Sequence, residues 1–290
     1  MKVTIDPSSG FCFGVKNAIE LAEHQLNKDN SLNCLGEIVH NQEEIKRLES
    51  KGLKTIHHEE FKQNKHSRIF LRAHGEPPAT YAFANQHQIE VIDATCPIVL
   101  KLQERVRKAS DEMLKRKGQV VIYGSKNHPE MIGLLGQVDS LAVALETESD
   151  LKNIDFRKPI RLFSQTTKSK EEYQRIIERI RITLTEKSIS QKNFIFSKSV
   201  CGQVANRAPK LKAFCKSNDV IIFVSGKNSS NGKYLFSVCQ SVHENCYLIA
   251  AEEEINPFWF ENKKSVGISG ATSTPIWLLQ KVAKKIKLLV

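Results

Sequence analysis

One strand-then-helix pattern recurs three times along this 290-residue chain, and each copy places a cysteine at the same point. The cysteines are Cys12 in SGFCFG, Cys96 in DATCP and Cys201 in KSVCG. Each follows a short β-type run, KVTI, IEVI or FIFS, and precedes apolar residues at helical spacing. That spacing is Val15, Ala18, Ile19, Ala22, Leu26 after Cys12, and Val99, Leu102, Val106, Ala109, Met113 after Cys96. After Cys201 it is Val204, Ala208, Leu211, Phe214.

The repeat extends beyond the cysteines. A second strand-then-polar slot holds His40 in NCLGEIVHN, His128 in VVIYGSKNHPE and Ser229 in VIIFVSGKNSSN. A third holds His74 in RIFLRAHGEPP, Thr166 in RLFSQTTKS and Ser273 in VGISGATSTP. Between the two lies another short strand each time, around KTIHH, LAVAL and YLIAA. The period is longer than that of solenoid repeats, so it predicts small domains rather than an array. Strands alternating with helices predict parallel sheets. The expected fold class is α/β, with three small α/β domains of mainly parallel strands. Their spans are 1–96, with the two chain termini packed near each other, 97–196, and 197–290 with the C-terminal segment. In open α/β sheets, ligands bind beyond the carboxyl ends of the strands. All nine polar slots fall on such edges, where helix N-termini favour anions and lower thiol pKa values.

Cysteines at matched positions in three repeats point to metal. Structural zinc normally takes four ligands, often from CxxC pairs, and no such pair exists here. Three thiolates suit a [4Fe–4S] cluster with one iron left open to substrate. The CxxxCxxC spacing of radical enzymes is absent. His40, His74 and His128 in equivalent slots suit N–H donation to phosphate oxygens. SGKNSSNGK fails as a P-loop on its spacing, yet Ser229, Ser230 and Asn231 offer donors at a helix start. Glu130 is the carboxylate of the polar slots, and a buried carboxyl with raised pKa can deliver protons. Thr166 and Thr167 could link it to a substrate hydroxyl. Cys34, Cys215, Cys239 and Cys246 lie in apolar or helical contexts and read as core or surface fillers.

Composition narrows the classes. Hydrophobic residues make up 40% of the chain, enough for packed cores, and no apolar run nears the roughly 18 residues needed to span a bilayer. MKVTIDPSSG lacks a signal-peptide core, so the expectation is a cytoplasmic protein with reduced thiols. The net charge of +11 invites a nucleic-acid reading, but the basic residues are dispersed and no nucleic-acid signature accompanies them. Their more specific use is to dock an acidic electron-transfer protein or draw in an anionic substrate.

Taken together, GFCFGV, LGEIVHN, RAHG, DATCP, HPE, QTT, CGQVANR, KNSSN and ATSTP resemble the 4-hydroxy-3-methylbut-2-enyl diphosphate reductase family. These reductases perform the last step of the non-mevalonate isoprenoid pathway. The motifs run in order from residue 10 to residue 275. The resemblance implies a pseudo-threefold arrangement of the three domains around one [4Fe–4S] cluster held by Cys12, Cys96 and Cys201. It implies that His40, His74, His128, Ser229, Ser230, Asn231 and Ser273 grip the diphosphate. Glu130 would donate the proton, with Thr166 beside it and Thr167 a further candidate. The implied reaction is reductive removal of the allylic hydroxyl as water, giving isopentenyl and dimethylallyl diphosphate. Electrons would come from an external donor such as ferredoxin or flavodoxin, and a monomer is expected, with no membrane or nucleic-acid partner. The chain departs from the family pattern at Gly202, Gln203 and Val204, where an aromatic residue and a threonine are common, and at Glu76 and Pro77. A quinolinate-synthase-like enzyme would share the three-cysteine cluster but needs dicarboxylate-binding residues in place of these motifs. A non-enzymatic iron–sulfur sensor and a structural zinc protein would also use matched cysteines, without needing the diphosphate donors.

Overall fold

The computed structural model describes residues 1–63, 67–138 and 142–289. Twelve strands among them form three four-stranded sheets. The strands are β1 (Lys2–Ile5), β2 (Leu32–Leu35), β3 (Leu53–Ile56), β4 (Arg68–Leu71), β5 (Glu90–Asp93) and β6 (Gln119–Tyr123). They continue with β7 (Ala142–Leu145), β8 (Ile160–Ser164), β9 (Phe194–Phe196), β10 (Val220–Val224), β11 (Cys246–Ile249) and β12 (Ser265–Gly270). The α-helices are α1 (Phe13–Asp29), α2 (Gln42–Glu49), α3 (His58–Lys62), α4 (Pro78–Gln86) and α5 (Pro97–Lys115). After them come α6 (Pro129–Leu135), α7 (Lys170–Glu186), α8 (Gly202–Lys216), α9 (Ser230–Gln240) and α10 (Ile276–Leu289).

The sheet orders are β3-β2-β4-β5, β7-β6-β8-β9 and β11-β10-β12-β1, the same order three times. The predicted parallel α/β class is what the structure has. Every strand named in the repeat is present, and a helix follows each of the nine polar slots. The phase of the repeat is different, however. Counted along the sequence, each unit opens with the strand that precedes a cysteine. In the sheets that strand comes last, pairing beside the third-slot strand that went before it. β1 has no earlier strands and pairs with β12, Lys2 opposite Ser265 and Ile5 opposite Ile268. The physical reason is apolar matching, because Val3 and Ile5 pack against the core that holds Val266, Ile268, Leu278 and Leu279.

The central strands are buried on both faces, which is why they read as continuous apolar runs rather than alternating ones. In β10, Val220, Ile222 and Val224 face the helix α10 core, with Leu278, Val282 and Ile286. Ile221 and Phe223 face the opposite core, with Leu211 of α8 and Leu235 of α9. In β6, Val120 and Ile122 meet Leu102, Val106 and Met113 of α5, while Val121 and Tyr123 meet Tyr173, Ile176 and Ile180 of α7. Each fully buried aliphatic side chain contributes about 1.5–3 kcal/mol of transfer free energy.

Residue contacts divide the chain into two compact units, 1–58 with 202–290, and 59–201.

Candidate functional site

Within residues 59–201 the predicted site residues are joined by a continuous run of contacts. Cys96 caps α5, with Pro97 at the first helical position, where a proline ring is pre-set for helix. Its backbone N–H donates to the carbonyl of Ala73, 3.1 Å away. The next residue, His74, stands edge-on to His128 with ring centroids 5.2 Å apart. Nδ1 of His128 accepts the Glu130 backbone N–H at 3.2 Å and caps α6, which leaves the proton of a neutral ring on Nε2. The Glu130 carboxylate is 2% exposed. Its Oε1 accepts the Thr166 backbone N–H at 2.7 Å and its Oε2 accepts the Thr166 hydroxyl at 2.8 Å. The Thr166 carbonyl in turn accepts the backbone N–H of Cys201 at 2.9 Å.

Two forces oppose each other at Glu130. Burial raises its pKa, the Thr166 hydrogen bonds lower it, and burial wins, leaving the carboxyl pushed up to about 7. Burial likewise pushes the Cys96 thiol up, with the negative charges of Cys201 and Glu130 adding to the effect against backbone N–H groups at the start of α5. Thr167 points elsewhere. Its hydroxyl accepts from Nε2 of Gln165 at 2.8 Å, and the Gln165 oxygen holds the Ser125 N–H. The structure therefore places Thr166, not Thr167, on Glu130.

Within residues 1–58 and 202–290 the other predicted residues assemble in the same manner. The backbone N–H of Cys12, which caps α1, donates to the Thr272 carbonyl at 3.1 Å. Thr272 donates its own N–H to Oδ1 of Asn231 at 2.9 Å. The hydroxyls of Ser229 and Ser273 lie 3.0 Å apart, and Ser229 caps α9 by accepting the Gly232 N–H. Ser229, Asn231 and Ser273 are buried, while Ser230 is half-buried at the first position of α9. His40 is half-buried, with Nδ1 3.4 Å from Glu37.

Each cysteine thus ties its backbone N–H to a carbonyl of the third-slot loop of its own sheet, at Thr272, Ala73 or Thr166. Each also sits at the N-terminal end of a helix, and all three are half-buried and outside any disulfide. A thiolate there meets the positive end of a helix dipole.

Gly226 holds two of the slots against each other. A Cβ on it would come 2.2 Å from the His40 carbonyl oxygen and 3.1 Å from Cα of Asn41. Gly226→Ala must therefore push His40 and the α9 loop apart. We expect a destabilisation of about 1–3 kcal/mol, and so a melting temperature lower by several degrees. A wild-type melting curve, within a degree, would show that the loop yields freely and that the contact does not position His40.

Sequence reasoning missed three residues here. Asn41 caps α2 by accepting the Glu44 N–H, and its Nδ2 is buried without a hydrogen-bond partner. The signal was the Asn followed by acids in the first turn. Gln203 and Arg207 lie one turn apart on α8. The Gln203 side chain accepts the Phe13 N–H at 3.2 Å and Arg207 donates to the Gly10 carbonyl at 2.8 Å, so together they bracket the Cys12 loop. Their i, i+4 spacing was visible, but its target lies about 190 residues away. Gln203 is among the departures noted in the sequence, and here it has a definite task.

A family model described as LytB protein matches residues 3–287. The 4-hydroxy-3-methylbut-2-enyl diphosphate reductase of Bacteroides thetaiotaomicron is 48% identical over 290 residues, covering 100% of this chain and 99% of that protein. That of Chloroherpeton thalassium is 43% identical over 308 residues, covering 99% and 96%. A solved (E)-4-hydroxy-3-methyl-but-2-enyl diphosphate reductase, described as the terminal enzyme of the non-mevalonate pathway, is similar with a TM-score of 0.71 and 32% identity, covering 99% of this chain and 100% of that one. The E-1-hydroxy-2-methyl-but-2-enyl-4-diphosphate reductase from Plasmodium falciparum is similar with a TM-score of 0.85 and 25% identity, covering 98% and 87%. With a family match over almost its whole length and full-length relatives at these identities, the chain belongs to the LytB protein family.

Proposed function

We propose that this chain is a 4-hydroxy-3-methylbut-2-enyl diphosphate reductase. In this reading it takes two electrons and two protons to the allylic alcohol, releases water and forms isopentenyl and dimethylallyl diphosphate. The observation that carries the proposal is the Glu130–Thr166–Cys201 connection. A carboxyl whose pKa stands at about 7 is protonated in a useful fraction at neutral pH, and its hydrogen-bond partner is anchored to a cysteine backbone.

The donor set fits an iron–sulfur group. Three half-buried thiols outside any disulfide, each at a helix N-terminus, suit thiolate ligation better than they suit a core. A [4Fe–4S] cluster held by Cys12, Cys96 and Cys201 would supply electrons and a Lewis-acid iron when bound.

The chain's own residues bind and protonate. Nε2–H of His128, with His40, His74, Ser230 and the Ser229–Ser273 hydroxyl pair, would donate to the diphosphate oxygens. Asn231 has spent its oxygen on Thr272, and its Nδ2 is buried with no partner, as is that of Asn41. Buried donors without acceptors cost about 1–3 kcal/mol each, and an anion that satisfies them recovers that cost. Thr166 passes hydrogen-bonding from Glu130 to the substrate hydroxyl, and the carboxyl delivers the proton that leaves in water. Electrons would arrive from a small external carrier of the ferredoxin or flavodoxin kind. No described helix is long and apolar enough to cross a membrane.

The test is anaerobic. Protein with the brown absorption of an iron–sulfur cluster is mixed with reduced methyl viologen and then with 4-hydroxy-3-methylbut-2-enyl diphosphate. Viologen bleaching that requires the diphosphate is expected. A fully clustered sample that does not bleach it would overturn the substrate assignment.

A further inference from the structure

Cys215, Cys239 and Cys246 lie outside the site described above, within the unit formed by residues 1–58 and 202–290. Cys215 is in the last turn of α8, Cys239 is near the end of α9, and Cys246 opens β11. Cys215 and Cys239 are 0% exposed in the core that also holds Leu211, Ile221, Phe223 and Leu235. Cys246 is half-buried and packs against that core from its edge. The three thiols are near enough to shift one another's titration, and none is in a disulfide. By sequence alone these three read as fillers. As separate small hydrophobes they would have no reason to meet, since alanine or valine fills the same space. In the structure α8, α9 and β11 bring them into one core cluster, with the most exposed of them at its edge.

We propose that Cys246 is a peroxide-reactive thiol and that a buried neighbour, Cys239 or Cys215, captures its oxidised form as a disulfide. The Cys246 sulfur attacks hydrogen peroxide, the O–O bond breaks, water leaves, and Cys246 becomes a sulfenic acid. The neighbouring thiol then attacks that sulfur, the S–O bond breaks, and a second water leaves. Two thiols lose two electrons in all, and one peroxide is reduced to two waters. The local environment supports this division of labour. Hydrogen bonds from Cys215 and then Cys239 hold the Cys246 thiol well below the ordinary range, which favours the nucleophilic thiolate. Bonds to Cys215 and Cys246, with burial, push Cys239 far up, so it stays a protonated reserve until Cys246 is oxidised. No residue of the proposed reductase site takes part.

The test uses the anaerobically purified holoprotein. It is exposed to limiting hydrogen peroxide, alkylated, digested and mapped by mass spectrometry. The expected product is a disulfide joining Cys246 to Cys239 or Cys215, mapped separately from any cross-link among Cys12, Cys96 and Cys201. Cys246→Ser should lose that product completely while keeping the wild-type melting temperature. Cys239→Ala and Cys215→Ala identify the partner, since only one of them should lose the cross-link. A second measurement needs no variant: with iodoacetamide at mildly acidic pH, Cys246 should be labelled before Cys34. If Cys246 stays reduced, or goes to sulfinic acid with no disulfide on the way, the proposal is wrong.

Discussion

Replacing Glu130 with glutamine is expected to lower turnover by about 10²- to 10⁴-fold, the usual contribution of a positioned acid, with little change in KM. The two side chains have the same shape, and a glutamine oxygen still accepts the Thr166 N–H that Glu130 accepts at 2.7 Å. What is lost is the proton. Steady-state rates with reduced viologen check this, and wild-type turnover in Glu130→Gln would remove Glu130 from the proton-donor role. The wild-type rate should also fall as pH rises through about 7, because the acid form of Glu130 is depleted there.

Stability carries the same signature with a definite sign. The folded pKa of Glu130, about 7, lies above its ordinary value of 4.5. Its contribution to stability is therefore complete below pH about 4.5 and is lost progressively up to pH about 7, where the buried carboxyl ionises. A shift of that size is worth on the order of 3 kcal/mol. Glu130→Gln has no charge to bury, so the stability gap between variant and wild type should move in the variant's favour across that window. Melting curves at several pH values measure it, and two parallel profiles would mean that Glu130 does not titrate in the folded protein.

The second large effect concerns the cysteines. Cys96→Ser should purify without the broad visible absorption of an iron–sulfur cluster and with turnover below detection. A serine hydroxyl is a hard ligand that stays protonated at neutral pH, whereas iron–sulfur clusters are held by thiolates. The substitution is also gentle to the fold. Cys96 is the N-cap of α5 and makes no side-chain cap there, and serine is among the best residues at that position. Far-ultraviolet circular dichroism should therefore match the wild type, so that loss of iron separates from loss of structure. Cys215→Ser serves as the control and should retain iron. A Cys96→Ser protein with wild-type iron content would show that Cys96 is not a ligand.

The legible part of this protein was periodic. Apolar runs of β type, helical spacing after them and a polar residue at each junction come from local geometry, which is why all twelve strands and the nine helices after the polar slots fall where the pattern put them. The N-cap at Ser229 is local for the same reason, because a capping side chain reaches only two or three residues along the chain. The matched cysteines, too, were readable from residue order alone.

Sheet closure was not local. Nothing near Lys2–Ile5 says that β1 completes the sheet of β10, β11 and β12, because its partner lies at the other end of the chain and the pairing depends on which core Val3 and Ile5 fill. Thr166 and Thr167 are chemically equivalent in the sequence, and only the fold turns one hydroxyl to Glu130 and the other to Gln165. The clamp of Gln203 and Arg207 on the Cys12 loop, and the meeting of Cys215, Cys239 and Cys246, arise in the same way. The sequence by itself determined the elements, their parallel class and the chemistry at each strand end, since those follow from interactions a few residues long. Tertiary structure alone decided which strand ends share a sheet, how far Glu130 is buried and which thiols touch, because burial and hydrogen-bond partners are properties of neighbours that the chain brings from far away.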